Sequence, residues 1–206
     1  MTLPKVLLPA ACALLALAPA TFVQAAPESL VQGGRVTGDN LAQLLKSDHV
    51  WCAEWRNRDT SCEDVGFIDV VDAKTYRQTY RYQLSDAPDL QMVVRQTVQL
   101  EGDALCAQFK FADLDVVVLE DGAPASPESA APVIAMLADS MSALEGKMTC
   151  EHFSRDPVNG DLTSVVTLDG ISSPDFDSRY RLLTPDAKIN LRPLIQPEEE
   201  SNTTIA

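Results

Sequence analysis

The sequence predicts an α+β fold, an antiparallel meander sheet with two helices packed on it. Three observations carry that prediction. Between residues 76 and 112, three consecutive segments alternate apolar and polar side chains, so each presents one greasy and one polar face. Short polar connections, Ser85-Asp86-Ala87-Pro88-Asp89 and Glu101-Gly102-Asp103, join them as neighbouring antiparallel strands are joined. Two further stretches, one before and one after the meander, repeat apolar residues at helical spacing.

Taken in order, residues 1–25 read as a signal peptide. Lys5 supplies the positive start, residues 6–23 are nearly unbroken apolar sequence, and Val23-Gln24-Ala25 offers small residues where a signal peptidase cuts, after Ala25. Pro4, Pro9 and Pro19 argue against a retained membrane helix. The faint lipoprotein box at Pro9-Ala10-Ala11-Cys12 is undercut by the apolar run continuing past Cys12. No later stretch is long and apolar enough to span a bilayer, so the expected location is secreted or periplasmic, without stable membrane insertion. The remainder divides into a first α+β half at 26–120, a linker at 121–128, a second α+β half at 129–194 and a disordered acidic tail at 195–206.

In the first half, Thr37 caps a short helix whose Leu41, Leu44 and Leu45 share one face. Residues 50–56 follow as a strand with Trp51, Ala53 and Trp55 on one side and Cys52 on the other. After a polar loop at 57–63, a strand at 67–71 leads into the meander. Its inward set is Tyr76, Tyr80, Tyr82 and Leu84, with Gln78 the exception, then Met92, Val94, Val98 and Leu100, then Leu105, Ala107, Phe109 and Phe111. Residues 116–119 add an edge strand. In the second half Ser129 caps a helix at 130–145, with Pro132 in its first turn, a stripe of Ile134, Leu137, Met141 and Leu144, and Gly146 just past its end. A strand at 148–153 carries Cys150, Asn159-Gly160 turns the chain into a strand at 162–168, and short strands at 179–183 and 188–191 finish it. A shift of 98 residues lays Cys52 on Cys150, Trp55 on Phe153 and Arg81-Tyr82 on Arg179-Tyr180, which raises a duplicated helix-plus-strands module. Chance likeness between alternating strands is the competing reading.

The net charge of −14, one unit more acidic once Lys5 departs with the signal, argues against nucleic acid as a partner. Of five cysteines, Cys12 leaves with the signal, and Cys52, Cys62, Cys106 and Cys150 form an even set bound for an oxidising compartment. The preferred pairing is Cys52 with Cys62 and Cys106 with Cys150, the second bridge tying the meander to the chain's second half. Zinc held by these cysteines with His49 and His152 lacks the close double-cysteine spacing of zinc sites. No metal or cofactor is expected.

There is no Gly-rich phosphate loop, no Gly-x-Ser-x-Gly elbow, no His-Glu-x-x-His and no Cys-x-x-Cys. Histidine-based catalysis is confined to His49 and His152, and His152 alternates onto a different strand face from Glu151. Thirty Asp and Glu residues furnish carboxylate pairs by accident, and nothing selects one. Residues 156–161 resemble a calcium loop only superficially, and a hairpin turn accounts for them. Trp51, Trp55 and the tyrosine row suit either sugar stacking or core. The candidate binding surface is the meander's outer face, where Arg77, Arg81, Arg95 and Lys110 stand among Thr79, Gln83, Thr97, Gln99 and Gln108, suited to an anionic small ligand or an envelope protein. An ordinary solvated sheet face is the plainer reading of the same residues. The function expected is a non-catalytic binding module stabilised by two disulfides, with a carboxylate-dependent envelope hydrolase as the alternative.

Overall fold

A computed structural model describes residues 34–194 of the chain. The expected signal peptide, with Cys12, and the acidic tail lie outside the described residues. The chain runs through β1 (Gly34–Arg35), α1 (Gly38–Leu45), β2 (Val50–Ala53), β3 (Ser61–Cys62), β4 (Asp64–Val70), β5 (Thr75–Asp86), β6 (Asp89–Glu101) and β7 (Ala104–Gln108). Then come β8 (Asp115–Glu120), β9 (Ala123–Pro124), α2 (Pro127–Ser140), β10 (Met148–Arg155), β11 (Leu162–Leu168), β12 (Ile171–Ser172), β13 (Ser178–Leu183) and β14 (Asn190–Leu191).

The alternating segments do form antiparallel neighbours, but the sheet they begin closes on itself. β6 and β7 pair only from Gln99–Cys106 to Glu101–Ala104. β7 also pairs along its length with β10, from Gln108–Met148 to Ala104–His152. Stepping between antiparallel neighbours from β10 through β11, β13, β2, β4, β5, β6 and β7 returns to β10, so eight strands make a closed barrel. Closure leaves these eight without a free sheet edge along the ring. At 13 residues, β6 is long enough to serve two neighbours, and its first half pairs with β8 from Leu90–Glu120 to Arg95–Asp115.

That division corrects the third meander segment. β7 stops at Gln108, Phe109 donates its N–H to the Lys147 carbonyl at 2.8 Å, and Phe111–Asp113 is a 3-10 turn. The chain there follows β10 instead of β6, and Asp115 of β8 takes the place beside Arg95. The strand expected at 50–56 ends at Ala53 because Glu54 adopts φ 46°, so Trp55 no longer shares a face with Trp51. Ser126, not Ser129, caps α2: its Oγ accepts the Ser129 N–H at 3.2 Å, and Pro127 fits a first turn whose N–H groups lack helical partners. Most of the last turn expected of that helix is a separate 3-10 turn, Ser142–Leu144.

Inside the barrel the two ends differ. α1 lays Leu41, Leu44 and Leu45 against Trp51, Tyr76, Phe153 and Leu162, all buried. The Trp51 ring meets Phe153 and Tyr180 edge-on, with centroids 5.4 and 5.7 Å apart. α2 packs the half-buried Val133 and Leu137 against Leu84, Met92 and Val94, on the part of the β5–β6 ribbon that extends beyond the ring.

Both disulfides have the expected pairing, Cys52–Cys62 and Cys106–Cys150. Cys106 and Cys150 are direct register partners on β7 and β10, so the bridge is a rung between adjacent strands. It joins strands that are already paired and does not draw the second half across the meander's outer face. Cys52 and Cys62 join Val50 and Val65 in a small cluster outside the barrel, which Leu183, Ile189 and Leu191 help to cover.

Candidate functional site

Toward the end away from α1, the inward positions turn polar and leave a cavity of about 440 Å³. Its organising residue is Glu151, in the middle of β10, flanked in register by Leu105 on β7 and Val166 on β11. Alternation sends Glu151 inward with Thr149 and Phe153. The Ser164 hydroxyl donates to its Oε1 at 2.5 Å, and the Gln78 amide donates to its Oε2 at 3.3 Å. Gln78 in turn accepts from the Gln96 amide at 2.7 Å, so a chain of donors from β5, β6 and β11 converges on one carboxyl. Ser164 is 0% and Gln78 2% exposed. Burial pushes the Glu151 carboxyl above the usual carboxylate range, and its two hydrogen bonds oppose that rise without cancelling it. The surface that Glu151 retains lines the cavity.

Asp64, the first residue of β4, also faces inward. Burial, reinforced by the charges of Glu63, Glu151 and Glu54 and opposed by Arg192, pushes its carboxyl up to about 7. Its Oδ1 is buried with no hydrogen-bond partner among the described residues. Asp177 uses Oδ1 to accept the Val166 N–H at 2.9 Å, and its Oδ2 is likewise buried and unpartnered. Tyr80, Tyr82 and Tyr180 complete the polar wall, each phenol held neutral by burial and by the charges of Glu151 and Asp64. Gly66 makes room for this arrangement: a Cβ there would come within 3.3 Å of both Trp51 and Tyr80.

Among the described residues the wall carries six carboxylate side chains, Glu54, Glu63, Asp64, Glu151, Asp175 and Asp177, and no Lys, Arg or His. Glu54 meets Arg179 at 3.1 Å and Glu63 meets Arg192 at 3.8 Å, both with partners outside the lining. Leu105, Phe109, Leu144 and Leu168 supply apolar surface between the polar groups. Among the described residues no three His, Cys, Asp or Glu side chains are grouped so as to hold a metal ion.

The residues expected to bind from the sequence lie elsewhere. Arg77 and Arg81 are exposed on the outer face of β5, and Arg95 faces the same way on β6, with Thr79 its register partner. Arg95 Nη1 bonds Asp115 Oδ2 at 2.9 Å. Lys110 is exposed in the segment after β7 and does not share that strand face. His152 points outward, its Nδ1 3.0 Å from Arg35 Nη2, and burial, then Arg35, pushes its pKa down. Trp55 lies outside the barrel, with Arg181 stacked 5.7 Å above its ring, while Trp51 is core.

Sequence reasoning passed over Glu151, Asp64, Gln96 and Ser164. The clearest available signal was Gln78, the polar exception in an otherwise apolar inward row. No known family, curated protein or solved structure matches the chain.

Proposed function

We propose that this protein is a secreted or periplasmic, non-catalytic binding module that takes a small ligand into the polar half of its barrel. The carrying observation is the cavity: about 440 Å³ walled by a buried hydrogen-bonded carboxyl and three neutral tyrosines, at one end of a barrel whose other end holds the buried apolar cluster beneath α1. Eight-stranded barrels have an interior just wide enough to fill with side chains or to hold one small ligand. Apolar surface set with a few buried polar groups is the usual chemistry of such sites. The two disulfides suit an oxidising compartment. Arg77, Thr79, Arg81, Arg95 and Thr97 on the outer side of β5 and β6 suit a barrel standing in water, since a lipid-facing barrel shows an apolar band.

Ala107, inward on β7, gives the test. A library of small polar solutes is screened by thermal shift against the native protein and Ala107→Trp, whose indole would occupy the cavity. Hits that stabilise the native barrel and lose their effect in the folded variant support the reading. Equal shifts in both proteins, or none in either, would end it.

A second reading, the carboxylate-dependent envelope hydrolase, draws on one observation: Asp64 sits near neutrality within reach of the Glu151 charge. Hydrolysis of aryl glycosides abolished by either Asp64→Asn or Glu151→Gln would favour it over binding. The outer-face cations stay a separate proposal, a surface for an acidic envelope protein.

A further inference from the structure

Resting on the barrel-interior reading, we infer that the ligand held in this cavity is a small organic cation bearing an ammonium or guanidinium group. The sign comes from the wall, which offers carboxylates and no basic side chain. The position comes from Asp64 and Asp177, which both line the cavity and each carry one enclosed carboxyl oxygen that lacks, among the described residues, the hydrogen bond such atoms almost always have. A bound ammonium or guanidinium carries several N–H donors and no acceptor, which is what two orphaned acceptors require.

The walls explain why the cation is organic. The acidic groups are spread around the lining instead of converging on a point, and no metal-holding group of three exists among the described residues. Between them stand Tyr80, Tyr82, Tyr180 and Phe109, whose ring faces attract a cation by their quadrupole and cover an attached hydrocarbon body. A hydrated metal ion has no use for the apolar surface of Leu105 and Leu168. A volume of about 440 Å³ lies in the range of small-molecule pockets. An acidic protein also steers cations toward itself by its overall field.

The test uses calorimetric titration with benzylammonium, butylguanidinium and tetramethylammonium, set against benzyl alcohol and benzoate as neutral and anionic counterparts. The native protein, Asp177→Asn, Asp64→Asn and Ala107→Trp are compared, each checked for cooperative melting. Asp177→Asn keeps the oxygen that accepts from Val166 and replaces the orphaned one with an amide NH₂, so a folding defect is not built into it. The expected result is binding of at least one N–H cation about tenfold or more tighter than benzyl alcohol. That binding is weakened about tenfold in Asp177→Asn or Asp64→Asn and lost in Ala107→Trp. Preference for benzyl alcohol or benzoate, lost in Ala107→Trp, overturns the cation and leaves the barrel site standing. Binding that ignores Ala107→Trp, or no binding by any of the five probes, overturns both.

Discussion

Neutralising Asp64 should make the protein more stable at neutral pH. The folded state raises this carboxyl from 3.8 to about 7, chiefly by burial, with Glu63, Glu151 and Glu54 adding repulsion and Arg192 partly relieving it. A group whose folded pKa is raised favours folding fully below its unfolded pKa, and that contribution is lost as pH rises through the folded value. Native stability should therefore fall between about pH 4 and about pH 7 on account of Asp64. At ~1.4 kcal/mol per pH unit, a displacement of about three units amounts to roughly 4 kcal/mol. Asp64→Asn carries no charge to bury, so it should escape this loss. Urea unfolding of both proteins across that pH range checks the expectation. The variant should be more stable by a few kcal/mol at about pH 8, with the advantage shrinking steadily toward about pH 4. An advantage that does not change with pH, or a variant weaker than native at about pH 8, would show that Asp64 is not a buried carboxyl held near neutrality.

Three further outcomes follow from the same geometry. Glu151→Gln keeps the shape and one acceptor, which can face the Gln78 amide while its NH₂ donates to the Ser164 hydroxyl, so it should cost little stability. Glu151→Leu, by contrast, strands the buried Ser164 hydroxyl and Gln78 amide and should cost about 1–3 kcal/mol per orphaned group in chemical denaturation. Loop entropy assigns the Cys106–Cys150 bridge, spanning 44 residues, about 4 kcal/mol and the Cys52–Cys62 bridge, spanning 10, about 3 kcal/mol. Replacing the first pair with alanines should therefore lower the melting temperature more than replacing the second, and the reverse order would contradict it. For the outer face, the triple variant Arg77→Glu, Arg81→Glu and Arg95→Glu should fold normally yet lose capture of acidic envelope proteins in a pull-down, and unchanged capture would remove that surface as a candidate.

What the sequence made legible was local. Alternation located the meander strands, helical spacing gave the buried Leu41, Leu44 and Leu45 face of α1, and Asn159-Gly160 marked the β10–β11 hairpin, where Arg155 pairs with Leu162. Barrel closure was not legible, because it depends on β7 serving both β6 and the distant β10, a pairing that no turn residue announces. The break after Ala53 turns on the positive φ of Glu54, a residue type that gives no warning of it. A shift of 98 residues carries the Asp64–Tyr82 pair of β4 and β5 onto the Leu162–Tyr180 pair of β11 and β13. It carries Trp51–Gly66 onto Thr149 and Ser164, however, and those two do not pair: Thr149 faces Leu168. The cavity escaped notice for a physical reason. Period-two reasoning assigns apolar residues inward, and a polar barrel interior is written in the residues that break the rule, Gln78 and Glu151 foremost.

The central claim, a cation-binding cavity inside the barrel, is met most directly by amide and side-chain NMR during titration with benzylammonium. Shifts confined to the cavity wall, around Glu151, Asp64, Tyr80 and Asp177, are the predicted result. Shifts confined to the outer face of β5 and β6, around Arg77 and Arg81, or no shifts at saturating benzylammonium, would contradict it.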